Sequence, residues 1–548
     1  MRKFLLAAAL AAVPSLTVGG EPADAPTAMT CAEATMAEQQ AGRANLKIMP
    51  GFGSESWKLN TSSKQAQAWF DYGLQLARAF NHQEAIEAFR RAEKADPTCA
   101  MCAWGTAWSL GPTINFEVEP AKRKEAAELV AKAAVLAEGG PQKERDLIAA
   151  LKLRYEGDNK KNVADKAFAR AMDAVAAKYP GDNGIAVVAA DAWLISTWSG
   201  DPKAATARSL ALLEGALKRD PDDPGAIHFY IHATEFAGVG GKAEPYADKL
   251  GRLAPAAGHL VHMPSHTFFR VGRYEDAGVA NLKAVEADHA FLKALAVKGD
   301  VWRNSYHAHN ARFGMAGALM SNDVATAMAL ADHHLPLLAS LGPKDVWLQF
   351  SASTGYLAYG RVADPAKVLA LKDPGAAQPI ARSMWRYARG EAYARLGDAP
   401  KVKAEAQAMW AERRGLASGQ SAPLGEISRL VLLGRAALLE GRTAAAESYF
   451  AKAARIQDAK YGDGGDPPAW WYPVRRSVAA AKLQAGNWAG AEREARASLA
   501  KWPKDALALW VLSQAERKQG RAAEADQHLA EARKAWKGRL DGFPTAQV

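Results

Sequence analysis

The stretch WFDYGLQLARAFNHQEAIEAFRRAEKADP, at residues 69–97, decides the fold. Its small and large residues have the spacing of a tetratricopeptide repeat (TPR), a unit of two antiparallel helices with a period of about 34 residues. Gly73 on the first helix and Ala85 on the second leave room for the helices to approach closely. Phe89 fills the gap between hairpins, and Pro97 closes the unit. The pattern predicts a helical hairpin over these residues.

The same spacing returns along the chain, from residue 65 to residue 537. The small residues that mark the other copies are Gly272, Ala277, Gly390, Gly397, Gly434, Gly441, Ala446, Gly486, Ala491, Gly520 and Ala525. One unit cannot bury its own apolar face, so neighbouring hairpins must stack. The sequence therefore predicts an all-α fold, a TPR-like α-solenoid of antiparallel helical hairpins stacked as a right-handed superhelix.

Irregular stretches between the repeats divide the chain into four parts. Residues 1–20 are predicted to be a signal peptide and residues 21–64 an N-terminal extension. Residues 65–340 form an N-terminal TPR-like array with a histidine-rich groove, and residues 341–548 form a C-terminal TPR-like array. The candidate site therefore lies in the first array.

The N-terminus, MRKFLLAAALAAVPSLTVGG, has the three parts of a secretory signal. Arg2 and Lys3 precede a short apolar run, and small residues follow as far as Gly20. No other stretch reaches about 18 consecutive apolar residues, the length that a membrane span needs. We expect cleavage near residue 20, a periplasmic or secreted bacterial protein, and no stable membrane insertion after cleavage.

The charge pattern argues against a nucleic-acid partner. The 548 residues include 69 Lys and Arg against 59 Asp and Glu, a formal net charge of +10, and the basic residues form no dense block. Nucleic-acid-binding domains concentrate their positive charge on one face. We expect a protein or peptide partner and no nucleic acid.

Four stretches carry a resemblance to a known family: DPTCAMCAWGTAWSLGPTIN at 96–115, AIHFYIHATE at 226–235, HLVHMPSH at 259–266 and PPAWWYPVR at 467–475. The chain resembles a bacterial group of exported TPR proteins of unassigned activity. A fifth stretch, YHAHNARF at 306–313, is similar to a Tyr-x-x-His-Asn-x-His-Phe element of that group. Arg312 stands where the group often has a second histidine. The resemblance implies the fold and names no reaction.

The resemblance also implies which residues face the groove. In such repeats the second, fifth, ninth and twelfth positions of the first helix line the concave surface. In that register, and with Asn310 from the fifth stretch, the groove residues are His228, His232, Glu235, His259, His262, His266, His309, Asn310, Arg312, Cys99 and Cys102. Four helices would thus point polar groups into one groove.

The histidine spacing points to a metal site. Ten of the twelve histidines lie between residues 228 and 334, and two pairs on predicted helices are four residues apart. Such a pair shares one helical face and can clamp a divalent metal, which a carboxylate one turn on can complete. The predicted metal ligands, converging on one shell with His309 at its edge, are His228, His232, Glu235, His262 and His266. Imidazole ligands suit zinc, copper, iron or nickel.

The same histidines have an ordinary interpretation. Buried histidines in helical repeats often only hydrogen-bond across hairpins, donating to carbonyls or carboxylates. His289, His333 and His334 are expected to have such ordinary roles. The spacing alone leaves both interpretations open for the cluster.

Cys99 and Cys102 form a C-x-x-C pair. Redox pairs of this kind usually lie in a βαβ context, which is absent here, and Ala103 takes the place of the histidine that haem attachment needs. A small-residue structural role or a local disulfide is favoured. As thiolates, the two residues would add soft donors if they reached the histidines.

Two functions follow from these patterns. The first is a periplasmic or secreted TPR scaffold that binds a protein, peptide or small ligand in its concave groove. Trp470, Trp471 and Tyr472 could anchor such a partner, or could pack between the arrays. The alternative is a metal-binding protein or metalloenzyme that uses the cluster at 228–309, with Glu235 as the base. The sequence has no phosphate loop, nucleophile elbow or dinucleotide fingerprint, so no other catalytic residue is predicted.

Overall fold

The computed structural model describes residues 44–157, 159–197, 202–296, 301, 306–342, 345–416, 421–461 and 469–548. These residues form helices and connecting turns, and no strand occurs among them. The predicted all-α class and the TPR-like hairpin solenoid are therefore confirmed. The predicted signal peptide at 1–20 lies outside the described residues.

The helices of the first half follow one another in antiparallel pairs. They are α1 (Lys64–Arg78), α2 (His82–Ala95), α3 (Ala100–Ser109), α4 (Pro120–Leu136), α5 (Gln142–Tyr155), α6 (Val163–Lys178), α7 (Asn183–Ser196), α8 (Pro202–Arg219), α9 (Pro224–Phe236), α10 (Glu244–Leu253), α11 (Gly258–His262), α12 (Pro264–Val271), α13 (Tyr274–Ala294), α14 (His307–Ser321) and α15 (Val324–His334).

The second half continues the stack. Its helices are α16 (Val346–Ser353), α17 (Gly355–Val362), α18 (Pro365–Leu369), α19 (Pro379–Arg395), α20 (Ala399–Glu412), α21 (Ser421–Leu439), α22 (Thr443–Tyr461), α23 (Arg475–Gln484), α24 (Trp488–Lys501), α25 (Ala506–Lys518) and α26 (Ala522–Ala535).

The first hairpin shows why these residues pair. Ser63 caps α1 by accepting a hydrogen bond from the Ala66 amide, which satisfies one of the free N–H groups at the helix start. A Cβ atom on Gly73 would lie 2.7 Å from Cε1 of Phe89. A Cβ atom on Gly105, in the next hairpin, would lie even closer to the same ring. One aromatic ring thus sits between two helix backbones that only glycine allows to approach. The hairpin predicted at 69–97 is confirmed, and so are the close contacts at Gly73, Gly105 and Gly434, whereas Gly397 and Gly441 have no such neighbour among the described residues.

Residues 44–63 form an extended segment, the N-terminal strap, which crosses the hairpins in reverse chain order. Its contacts pair Asn45 with Leu295, Gly51 with Ala256, Glu55 with Gly225, Trp57 with Gly184, and Asn60 with Glu144. The strap therefore ties five successive segments of the first array together.

The first hairpin also folds back onto later helices at the end of α1. The buried guanidinium of Arg78 lies 3.5 Å from the Glu55 carboxylate of the strap, and the Phe80 ring packs on the histidines of α9 and α11. Phe80 is held at φ 58°, a left-handed conformation that is unusual for an aromatic residue. The stack is thus coiled tightly enough for its first hairpin to cover the histidines.

The hydrophobic core is continuous across the boundary predicted at residue 340. One cluster of buried side chains runs from Leu46 to Trp502, and a second, smaller cluster fills the last hairpins. The final residues pack back into the second half, where Ser477 donates its hydroxyl to the Val548 carbonyl at 2.7 Å. The change from one array to the next therefore leaves no break in the packing.

The aromatic run at 470–472 is interior. Trp470, Trp471 and Tyr472 are all buried, the Trp470 ring packs at 5.3 Å from that of Tyr387, and the Arg476 guanidinium lies 4.2 Å from the centre of the Tyr472 ring. The suggestion that these residues anchor a partner is therefore wrong, and the contacts of their rings lie within the second array instead of between the two arrays. Among the described helices, none combines the length and the apolar character of a membrane span.

Candidate metal centre

Helix α9 presents the first pair of histidines. Asp223 caps the helix through the Ala226 amide, and Pro224 occupies the first turn, where its missing N–H costs nothing. One turn further on, Nε2 of His228 lies 3.2 Å from Nε2 of His232. Nε2 of His259, at the start of α11, lies 3.2 Å from the same His228 atom. His228, His232 and His259 are the first triad.

The second pair lies on a broken helix. Pro264 separates α11 from α12, yet Nε2 of His262 is 2.9 Å from Nε2 of His266 on the other side of the break. His309, near the start of α14, brings its Nε2 to 3.1 Å from that of His262. His262, His266 and His309 are the second triad, and all three rings are buried.

Hydrogen bonds behind the rings fix their orientation. Nδ1 of His228 lies 2.6 Å from the backbone carbonyl of Arg78, Nδ1 of His262 lies 2.6 Å from Oδ1 of Asn281, and Nδ1 of His266 lies 2.7 Å from Oε2 of Glu235. A carbonyl or carboxylate oxygen can only accept, so each of these Nδ1 atoms carries the hydrogen. The Nε2 lone pairs of all three rings then face the interior of their triads.

Burial sets the protonation of five of the six triad histidines. It is the main cause that lowers the pKa of His228 to about 3 and the pKa values of His232, His259, His262 and His309 well below the ordinary value. Neighbouring histidines lower these pKa values further. These five rings are therefore neutral at pH 7, the form in which imidazole binds a metal.

Glu235 supports a histidine instead of joining the ligand atoms. One of its oxygens accepts the hydrogen bond from His266 Nδ1, and the other pairs with the guanidinium of Arg270 at 2.8 Å. Burial raises its pKa, but His266 and Arg270 outweigh burial and lower it to about 2. The Glu235 carboxylate is therefore ionised, and both of its oxygens are engaged on the Nδ1 side of the His266 ring. It does not reach the Nε2 atoms, so the sequence-based prediction of Glu235 as a metal ligand or base does not fit this geometry.

Aromatic rings close the first triad. Phe80 stacks on His259 at 4.8 Å and packs edge-on against His228 at 4.5 Å. The Tyr306 ring lies 4.3 Å from that of His259, and its hydroxyl accepts a hydrogen bond from the side-chain amide of Asn115. Sequence analysis missed Phe80, Tyr306 and Asn115 as site residues, although the last two lie in stretches that carry the family resemblance.

The two triads lie side by side. The rings of His232 and His266 are 5.6 Å apart and those of His259 and His262 are 5.5 Å apart, close to the 4.7–5.0 Å between neighbouring rings inside the triads. His232 and His266 therefore lie in one cluster of rings, as ligands of a shared site would. The single ligand shell of the prediction becomes two adjacent triads, with His259 and His309 as full members.

The remaining predicted groove residues lie elsewhere. Cys99 and Cys102 are joined in a disulfide, so they offer no thiolate. The Asn310 amide donates to Asp288 at 3.3 Å. The guanidinium of Arg312 lies 5.0 Å from the ring centres of both Trp347 and Phe350. These four predicted residues therefore do not join the histidine triads.

Comparisons with known proteins add little to this picture. No family model matches the chain, and no curated protein matches it in sequence. Among solved structures, the human IFIT1 dimer with m7Gppp-AAAA is 11% identical over 92% of this chain and 96% of that chain, with a TM-score of 0.30. Yeast Tom70 is 14% identical over 86% and 100%, also at 0.30, and the P58(IPK) TPR domain is 14% identical over 62% and 90%, at 0.19. Because these scores are low, the TPR-like assignment rests on the chain's own hairpins.

Proposed function

We propose that the chain is a metal-binding protein whose six clustered histidines hold two transition-metal ions side by side, one in each triad. The contact between His262 and His266 carries this proposal. Both Nδ1 atoms donate to oxygen, so when both rings are neutral two Nε2 lone pairs face each other at 2.9 Å with no hydrogen between them. Such a contact is repulsive unless a cation lies between the rings. Burial lowers the pKa of His262 and so disfavours a proton on that ring. The Glu235 carboxylate behind His266 would favour a proton on His266 instead, and metal analysis distinguishes a bound ion from that proton.

The donor set selects the class of metal. Neutral imidazoles without a carboxylate suit copper, zinc, nickel or iron(II), and do not suit calcium or magnesium, which prefer oxygen ligands. Three nitrogen ligands leave a fourth position open in a tetrahedral site. The hydrogen bonds at Nδ1 supply the outer support that metal-bound histidines normally have.

The scaffold function and the metal function meet in this fold. Stacked hairpins bring histidines from α9, α11, α12 and α14 together, which one helix could not do. Phe80 and Tyr306 cover the first triad, so a peptide does not lie on these rings. The predicted N-terminal signal would deliver such a protein to the periplasm or outside the cell.

The test is metal analysis of full-length protein purified without a histidine tag. We expect the triads to contribute about two equivalents of copper, zinc, nickel or iron. His232→Ala should remove the ion of the first triad and His266→Ala that of the second, both with nearly unchanged helicity. His528→Ala, in the last hairpin, is the matched control and should keep all the metal.

A polar core predicts a different result. If the histidines only hydrogen-bond to one another, His232→Ala and His266→Ala lower stability by about 1–3 kcal/mol, the usual penalty for a buried group left without a partner. Native and reconstituted proteins then contain no metal that depends on these residues. That pattern would refute the proposed function.

A further inference from the structure

A third group of histidines lies outside the six-histidine centre. His289 on α13, His307 at the start of α14 and His333 in the last turn of α15 place one ring nitrogen each within 4.8 Å of one another. Nε2 of His307 and Nε2 of His333 are 2.7 Å apart. Sequence analysis assigned ordinary roles to His289 and His333 and gave no role to His307. The three residues are called the outer triad below.

The outer triad has its own support. Nδ1 of His307 donates to Oδ2 of Asp288 at 2.8 Å, so the Nε2 lone pair of this buried ring points toward His333. A carboxylate behind a histidine is the arrangement that fixes the tautomer of metal ligands.

The outer triad is separate from the six-histidine centre and more open. His307 and His309 are two residues apart on α14, so their side chains leave the helix about 200° apart. His309 turns to the second triad and His307 turns to α13 and α15. His289 is exposed and His333 half-buried, whereas all six histidines of the centre are buried. An ion at the outer triad could therefore exchange with solvent directly.

We propose that His289, His307 and His333 bind a third divalent transition-metal ion, of the zinc, copper and nickel class, at a solvent-accessible and exchangeable site. The three imidazoles come from three successive helices, so the fold itself holds the ring nitrogens together. This site depends on none of the six central histidines, so it stands or falls independently of the proposed function.

Zinc titration of the metal-free, untagged full chain tests the proposal. We expect one zinc equivalent, bound at the outer triad, that a colorimetric chelator removes quickly; it is called the fast equivalent. Ions in the six-histidine centre should leave slowly and are called the slow ions. His289→Ala removes an exposed side chain, so it should fold normally while weakening zinc binding at the fast equivalent at least tenfold. His333→Ala should do the same, and His528→Ala should change nothing.

Three results overturn the inference. One is that both His289→Ala and His333→Ala bind zinc with unchanged stoichiometry and affinity. Another is that His289→Ala loses the slow ions together with the fast one, because the outer triad is then not a separate site. The third is a wild-type protein with no fast equivalent.

The double variant His232→Ala/His266→Ala keeps the two proposals distinguishable. It should retain the fast zinc equivalent while losing the slow ones. A wild type that binds only the fast equivalent refutes the six-histidine centre and supports the outer triad.

Discussion

Glu235→Gln is the most informative single substitution in the centre. Glutamine keeps the shape of the side chain and an oxygen that can accept from His266 Nδ1, so the ring need not move. It removes the negative charge behind that ring. Only 11% of the Glu235 side chain is exposed, so solvent screens little of the effect of its charge on His266. The variant thus isolates the electrostatic support of one ligand.

The expected effect is a loss of metal affinity at the second triad alone. Charge-assisted hydrogen bonds are roughly twice as strong as neutral ones, and removal of such an outer partner typically weakens metal binding about 10–100-fold. This corresponds to about 1.4–2.8 kcal/mol of binding free energy. The fold should change little, because the Arg270 side chain is 34% exposed and can turn to water once its partner is neutral.

The assay is competition for zinc or copper with a chelator of known affinity, applied to the slow ions. Binding at the first triad serves as an internal reference, since Arg78 and not Glu235 supports His228. Glu286→Gln, an exposed position on α13, is the matched control. If Glu235→Gln binds both ions as the wild type does while His266→Ala loses one, the argument for Glu235 as the positioning residue is wrong. Equal weakening of both ions would show that the triads act as one site.

Three further predictions concern stability and access. Burial raises the pKa of Asp191 to about 7 against an ordinary 3.8, so the folded state holds this proton more tightly than the unfolded state and stability falls as pH rises from about 4 to 7. Asp191→Asn should reduce the difference in unfolding free energy between pH 5 and pH 8 by about 2–3 kcal/mol in urea titrations, and an unchanged difference would contradict the assignment. Gly73→Val should lower stability by about 1–3 kcal/mol, because the new side chain meets the Phe89 ring, and a urea midpoint equal to that of the wild type would refute the tight contact. Phe80→Ala should cost about 3–5 kcal/mol and speed the release of the slow ions to a chelator, whereas an unchanged release rate would show that this ring does not close the first triad.

The hairpins could be predicted from the sequence because their information is local. Gly73, Ala85 and Phe89 recur at fixed spacing, and the contacts they make lie within one or two repeats. The N-terminal strap could not be predicted in the same way. Its residues show no period, and each contacts a different distant segment, as Glu55 does with Arg78 and Gly225. Only the coiling of the whole stack brings those segments into one line.

In the candidate site, too, local contacts could be predicted from the sequence and distant ones could not. The pairs His228 with His232 and His262 with His266 follow from spacing on single helices. The third member of each triad does not, because it comes from another helix whose position depends on how the hairpins stack. The carboxylate of Glu235 lies one helical turn from His232 in sequence. It bonds instead to His266 on the neighbouring hairpin, and this reverses its expected role from ligand to support.

The number of ring N–H hydrogens distinguishes the histidines of the proposed metal site from the other histidines. In the second triad with neutral rings, the hydrogens of His262 and His266 are committed to Asn281 and Glu235, so only His309 could supply an N–H to the facing Nε2 atoms. If His309 carries its hydrogen on Nε2, that single N–H cannot satisfy the lone pairs of both His262 and His266, whereas a divalent ion can bind all three rings.

Two other histidines contact oxygen partners instead. His334 lies 3.4 Å from the Ser351 hydroxyl, and Nδ1 of His528 lies 2.7 Å from the Glu516 carboxylate. An oxygen partner can accept the ring hydrogen, or in the case of the hydroxyl donate its own, so these contacts need no cation. Nitrogen facing nitrogen, with oxygen behind His262 and His266, is the feature on which the proposed cation site of the second triad rests. His307 of the outer triad repeats this feature with Asp288 behind its ring and His333 in front.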